Sequence, residues 1–259
     1  MMPSFFIAHG SPMLAVENNE YTQFVNQLGK DLPRPRAIVL FSAHWESRIQ
    51  QVGNVEQYRT IYDFGGFDEE LYKIQYPARG DQQMASEIEN LFIDSGIPFE
   101  KDVQRGLDHG AWVVLRMLYP NADIPVISMS VNSRLTPQEQ YNIGKALSAL
   151  REKDILIIGS GGTSHNLRAL NWADDGRADE WALEFENWLA YHIENWDLSA
   201  LFQYNQLAPN AQFAVPPYGT EHFVPIFYAM GAADNEHKAT LLHRSFRYGN
   251  LSHSVWQFG

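Results

Sequence analysis

Residues 37–45, Ala37-Ile38-Val39-Leu40-Phe41-Ser42-Ala43-His44-Trp45, open as an apolar run of strand length and reach a histidine three residues past Phe41. A short run that is apolar at every position reads as a strand buried on both faces, which is the mark of a parallel sheet. Its expected span is Ala37–Phe41. The same pattern recurs twice more along the chain. Ser4–Ala8 is an apolar run followed by His9-Gly10-Ser11-Pro12, and Asp154–Gly159 is followed by Gly159-Ser160-Gly161-Gly162-Thr163-Ser164 and then His165. A fourth run, Ile124–Met129, carries no histidine at its end.

Helical patterns separate these runs. Met84, Ile88, Leu91 and Phe92 share one helical face, as do Tyr141, Ile143, Leu147 and Leu150, and Trp181, Phe185, Trp188 and Leu189. Strands alternating with helices predict an α/β fold, a parallel or mixed sheet with helices on both faces. Leu241–Tyr248 and Leu251–Gln257 flank Gly249-Asn250 and predict a β-hairpin added at a sheet edge. No compositional shift marks a linker, so residues 1–259 are expected to form one domain.

In a parallel sheet the C-terminal strand ends share an edge, and ligand sites form in the crevice there. His9, His44 and His165 would then meet in one cavity although they are far apart in sequence. A lone histidine after a strand is more often a hydrogen-bonded loop residue. Three in equivalent positions point to a shared site, and neutral imidazole is the commonest protein metal ligand. His109, after the candidate N-cap Asp108, and His222, after Thr220 and before Pro225, sit at expected helix starts. His192, His237, His243 and His253 read as structural.

Composition narrows the chemistry. The chain has no cysteine, which excludes thiolate metal sites, disulfides and a cysteine nucleophile. Its formal net charge of -12 opposes binding to nucleic-acid phosphates. No stretch is long and apolar enough to span a membrane, and the start lacks a basic signal-peptide region, so a cytoplasmic location is expected. The glycine loop at 159–162 lacks the lysine of a P-loop and is read as a tight turn that lets the backbone approach the site. There is no G-x-S-x-G for serine hydrolysis.

Taken together and in order, His9-Gly10-Ser11-Pro12-Met13, Ser42-Ala43-His44-Trp45, Asp63-Phe64-Gly65-Gly66-Phe67, Tyr76-Pro77-Ala78, Asp108-His109-Gly110-Ala111-Trp112, Ser164-His165-Asn166-Leu167 and Glu221-His222-Phe223-Val224-Pro225 resemble the class III extradiol ring-cleavage dioxygenases, most closely their 4,5-DOPA dioxygenase extradiol branch. The resemblance implies a three-layer αβα sandwich with a mixed, mostly parallel central sheet. It implies a metal held by His9, His44 and a third ligand from the Glu221-His222 pair. Adjacent helical residues point about 100° apart, so one of that pair faces the ion, and His222 is the expected one. His165 is expected as the acid/base group or a fourth ligand. His109 is expected to contact a substrate oxygen or O2, with Trp45 and Asn166 also at the substrate.

The implied reaction opens a catechol ring beside its diol with O2, giving a hydroxymuconic semialdehyde. The implied cofactor is non-haem Fe(II), with Zn(II) expected to occupy the site in isolated protein. The expected partners are a small catechol and O2, with no nucleic acid and no membrane. Two alternatives stay open at this point: a zinc hydrolase with Glu221 or Asp108 as base, and a non-enzymatic metal-binding relative. The sequence leaves oligomeric state unread.

Overall fold

The computed structural model describes residues 1–173 and 176–259. Its described residues build an eight-stranded sheet from β1 (Ser4–Ala8), β2 (Ala37–Glu46), β3 (Gln50–Gly53), β4 (Phe99–Asp102), β5 (Val126–Val131), β6 (Ile155–Gly161), β7 (Ala239–Arg247) and β8 (Leu251–Phe258). The order across the sheet is β4-β3-β5-β2-β6-β1-β8-β7. The central four, β5, β2, β6 and β1, run parallel. β3 joins β5 and β8 joins β1 antiparallel, which makes the sheet mixed. The expected C-terminal hairpin is β7–β8, paired from Ala239 with Phe258 to Arg247 with Leu251.

The helices are α1 (Glu20–Asp31), α2 (Gln82–Asp94), α3 (His109–Leu118), α4 (Pro137–Ala146), α5 (Glu180–Glu194), the single turns α6 (Leu198–Leu201), α7 (Tyr204–Leu207) and α8 (Ala211–Ala214), and α9 (Pro225–Gly231). Strand alternation sorts the core into two sides. Phe5, Ile7, Ile38, Leu40, Leu156 and Ile158 pack with α1 and α3. Phe6 turns the other way, toward α5 and α9. Val39, Phe41, Ile155 and Ile157 also face that side, against α2, α4 and α9. Two helical layers thus cover one sheet, the three-layer α/β sandwich expected.

Several element boundaries differ from the sequence reading. β2 runs five residues past Phe41, so His44 lies inside a strand and not on a loop after it. Gly159, Ser160 and Gly161 are the end of β6, not a tight turn. Their smallness serves helix approach: a Cβ on Gly159 would lie 2.2 Å from the Pro225 carbonyl oxygen, and one on Gly161 would lie 2.0 Å from that of His222. The Tyr141–Leu150 stripe is two pieces, since α4 ends at Ala146 and a 3-10 helix covers Ser148–Lys153. Asp108 caps α3 as expected, its side chain accepting from the Ala111 N–H. Thr220 caps nothing through its side chain. His222 lies in a 3-10 turn, Thr220–His222, and Pro225 opens α9 beyond it.

Candidate metal centre

The parallel strands deliver the histidines to one edge. His9 follows β1, His44 is near the end of β2, and His165 follows β6. His222 reaches the same point from the turn before α9, and His109 from the first position of α3. The ring centroids of His9, His44 and His222 form a near-equilateral triangle, at 4.7 Å, 4.9 Å and 5.1 Å. One ring nitrogen from each lies within 4.8 Å of the others, a spacing that one ion can span. His165 stacks on His222 at 3.8 Å with planes 5° apart, and His109 lies 3.9 Å from His44.

Hydrogen-bond partners decide which nitrogen each ring presents. Ser160 Oγ donates its one proton to the Gly110 carbonyl at 2.5 Å, so toward His9 Nδ1, at 3.1 Å, it can only accept. His9 Nδ1 therefore carries the hydrogen, and its Nε2 is bare. A carboxylate accepts only, so His222 Nδ1, 3.0 Å from Glu221 Oε1, is fixed in the same tautomer. His44 Nδ1 faces Asp63 Oδ2 at 3.5 Å, which favours it too. His9 and His222 thus turn a lone pair toward the middle, and the Nε2 of His44 points to the same place.

His9 Nε2 and His44 Nε2 are 3.0 Å apart. A contact this short is met either by a hydrogen shared between the two nitrogens or by a cation bound to both. Two metal–nitrogen bonds of about 2.1 Å at about 90° place their nitrogens about 3.0 Å apart. The donor set therefore fits a divalent transition metal. Burial pushes the imidazoles of His9, His222 and His165 well below their ordinary pKa, and neighbouring imidazoles push them further. Burial and His109 lower His44 to about 4 against the pull of Asp108, Asp63 and Glu221. All four are neutral near pH 7, the form that ligates metals and accepts protons.

These groups line a cavity of about 270 Å³. That is near the lower end of small-molecule sites, roughly 300–1,000 Å³, and suits a one-ring ligand. Pro12, Phe67, Leu167 and Leu251 supply apolar parts of its wall.

The family model for the catalytic LigB subunit of aromatic ring-opening dioxygenase matches residues 3–259. This chain belongs to the LigB family. It is 39% identical to a 4,5-DOPA dioxygenase extradiol of Beta vulgaris, over 98% of this chain and 96% of that one. It is 36% identical to the protein of that name in Escherichia coli K12, over 100% and 95%. It is similar too to dioxygenase tasH of Hapsidospora irregularis, at 32% identity over 92% of this chain. An uncharacterized Escherichia coli K12 protein of known crystal structure superposes with a TM-score of 0.85 at 33% identity, each chain covered completely.

Within this LigB-family site, five of the sequence-expected residues, His9, His44, His109, His165 and His222, line the cavity. Trp45 and Asn166 are not among its lining residues. Strand alternation turns Trp45 to the opposite face from His44, where Arg105 stacks on it at 5.0 Å. The Asn166 amide is occupied with backbone, accepting from the Arg168 N–H and donating to the Phe213 carbonyl. Glu221 holds the outer nitrogen of His222 and is not part of the convergent group.

Sequence reading assigned no functional role to Ser160, Asp63 or His253. Ser160 sets the His9 tautomer. His253, read as structural in the hairpin, joins the cavity wall next to Gly10. Asp63 lies in an irregular segment, and its carboxylate faces both His44 and His109. Burial would raise the Asp63 carboxyl, but hydrogen bonds from the His109 side chain and backbone, with the charges of His109 and His44, hold it down at about 2. The motif around Asp63 was visible in the sequence, but nothing local showed what it touches.

Proposed function

We propose that this chain is a metal-dependent extradiol dioxygenase that opens the ring of a DOPA-like catechol with O2, giving a hydroxymuconic semialdehyde. The convergence of ring nitrogens from His9, His44 and His222 within 4.8 Å of one another supports the reading. His9, His44 and His222 would hold the ion. Fe(II) bound there supplies the electron transfer between catechol and O2, which zinc, having no accessible redox change, does not. Zinc suits the same donors and is the expected occupant of isolated protein.

The protein groups divide the remaining work. The apolar walls hold the ring and exclude water. The neutral His165 imidazole takes a proton from a catechol hydroxyl and returns it later in the reaction, a role that needs a base held beside the diol. Its face-to-face contact with His222 keeps it at the cavity wall. His109 contacts a substrate oxygen or O2. A reducing compartment, the cytoplasm, suits a ferrous site.

A hydrolytic reading finds less support. Glu221 is engaged with His222, and Asp108 is buried between Ser42 and Arg105. Neither of the carboxylates considered as a hydrolytic base is free to activate water.

The deciding experiment is anaerobic reconstitution with Fe(II), followed by addition of DOPA or simpler catechols in an oxygen electrode. Oxygen uptake with a yellow product is expected. Absence of uptake with every catechol tried removes the proposal. Activity with zinc and no O2 on an ester or amide would replace it.

A further inference from the structure

Asp63 makes three contacts with two histidines from different elements. Its Oδ1 accepts the backbone N–H of His109 at 2.9 Å, at the start of α3. Its Oδ2 lies 3.0 Å from His109 Nδ1 and 3.5 Å from His44 Nδ1. The approach to His109 Nδ1 is oblique, outside ordinary hydrogen-bond geometry, and that nitrogen has no other partner among the described residues. A carboxylate oxygen has two lone pairs and no proton, so it can accept from both rings and donate to neither.

We propose that Asp63 is a positioning residue that fixes the hydrogen on Nδ1 of both His44 and His109. One carboxylate then sets two functions at once. It leaves His44 Nε2 bare toward the ion, and it leaves His109 Nε2 bare toward the cavity. His109 therefore meets the substrate as a hydrogen-bond acceptor, matched to a catechol hydroxyl and not to O2. Carboxylates placed behind metal-binding histidines act this way generally, and losing one typically costs 10–100-fold in metal affinity or activity. The part concerning the ion rests on the metal reading of His9, His44 and His222 above. The part concerning ring protonation does not.

Asp63→Asn separates positioning from scaffolding. The asparagine carbonyl can still accept the His109 backbone N–H and preserve the start of α3. Its amide then turns donors toward both Nδ1 atoms and drives each hydrogen to Nε2. Nitrogen-15 spectra of the imidazoles in metal-free protein read this directly. Wild type is expected to show Nδ1–H on His44 and His109, and Asp63→Asn to show Nε2–H. Zinc affinity by titration calorimetry is expected to fall 10–100-fold, with the melting temperature little changed.

Wild-type protein with Nδ1 bare on either ring overturns the proposal, whether or not the variant folds. So does Asp63→Asn with wild-type tautomers and zinc affinity. The Asp63, His44 and His109 atoms also lie within 4.8 Å of one another, close enough to hold an ion themselves. Two zinc ions per wild-type chain would make Asp63 a ligand and would likewise overturn it. Wild type that binds neither zinc nor iron would remove the metal reading, while the ring spectra still decide Asp63.

Discussion

At the scale of single residues, the site depends on hydrogens held away from its centre. Ser160 and Glu221 occupy the outer nitrogens of His9 and His222, so each ring's coordinating atom is set by a neighbour on a different part of the chain or beside it. His9→Ala, His44→Ala and His222→Ala are each expected to abolish stoichiometric metal binding, read by elemental analysis after dialysis. His165→Ala is expected to keep the metal and lose about 10²–10⁴-fold in turnover, the usual contribution of a positioned acid/base. Equal loss of metal in that variant would make His165 a ligand.

The same residues predict a pH response of the metal-free fold. His9, His44, His165 and His222 have pKa values lowered by folding, so in acid the unfolded chain binds protons first. Their contribution to stability is complete above the unfolded value of 6.5 and is lost as pH falls, down to about 4 for His44. Glu186, whose carboxyl is raised by burial, opposes part of this trend. Urea midpoints of metal-free protein should therefore fall between pH 7 and pH 4.5. A constant midpoint across that window would contradict the assignment of neutral rings.

At the scale of elements, what was legible followed from regular patterns. β1 shows as an apolar run, and the hairpin strands flank the Gly249-Asn250 turn signal. The histidine-bearing ends of β1, β2 and β6 could be placed on one edge before any contact was known. β3 and β4 were not legible: each has four residues, and β4, Phe99-Glu100-Lys101-Asp102, is largely solvent-facing. α1 was missed too, although Asn19 and Thr22 form a capping box at its start and Tyr21, Phe24, Val25 and Leu28 follow helical spacing behind it. Trp45 was misplaced because β2 continues through it, and period-two alternation turns it from His44. Asp63 and Ser160 escaped because their roles depend on which distant ring a loop or strand returns to.

The close contact between β6 and the segment before α9 gives an element-scale test. Gly161→Ala would drive a methyl into the His222 carbonyl oxygen, 2.0 Å from the ideal Cβ position. Backbone on one side must move, and the nearest movable piece carries His222. Overpacking of this kind costs about 1–3 kcal/mol. The expected result is a lower denaturation midpoint together with weaker zinc binding. Retained affinity would mean that the turn absorbs the shift without displacing its ring.

At the scale of the whole molecule, the sheet edge opposite the histidines is tied by a buried arginine. Arg151 donates to the Met2 carbonyl at 2.6 Å and the Ala232 carbonyl at 3.1 Å, and pairs with Glu236 at 2.7 Å. It joins the entry to β1, the end of α9 and the approach to β7. Arg151→Met is expected to cost about 3 kcal/mol, the low end for breaking a buried pair because Glu236 is partly exposed. Zinc affinity should not change, which denaturation and calorimetry on one sample would check. A matched loss of both would mean that the two edges of the sheet are coupled.

The position of β1 between β6 and β8 sets a timetable for biosynthesis. β1 leaves the ribosome well before its partners, and it needs Ile157 on one side and Trp256 on the other. At about 5–20 residues per second, roughly 10–30 s pass before the nearer neighbour is even synthesised. During that interval Phe5, Phe6 and Ile7 have no sheet to enter, so the nascent chain is a candidate for chaperone capture until its hairpin arrives.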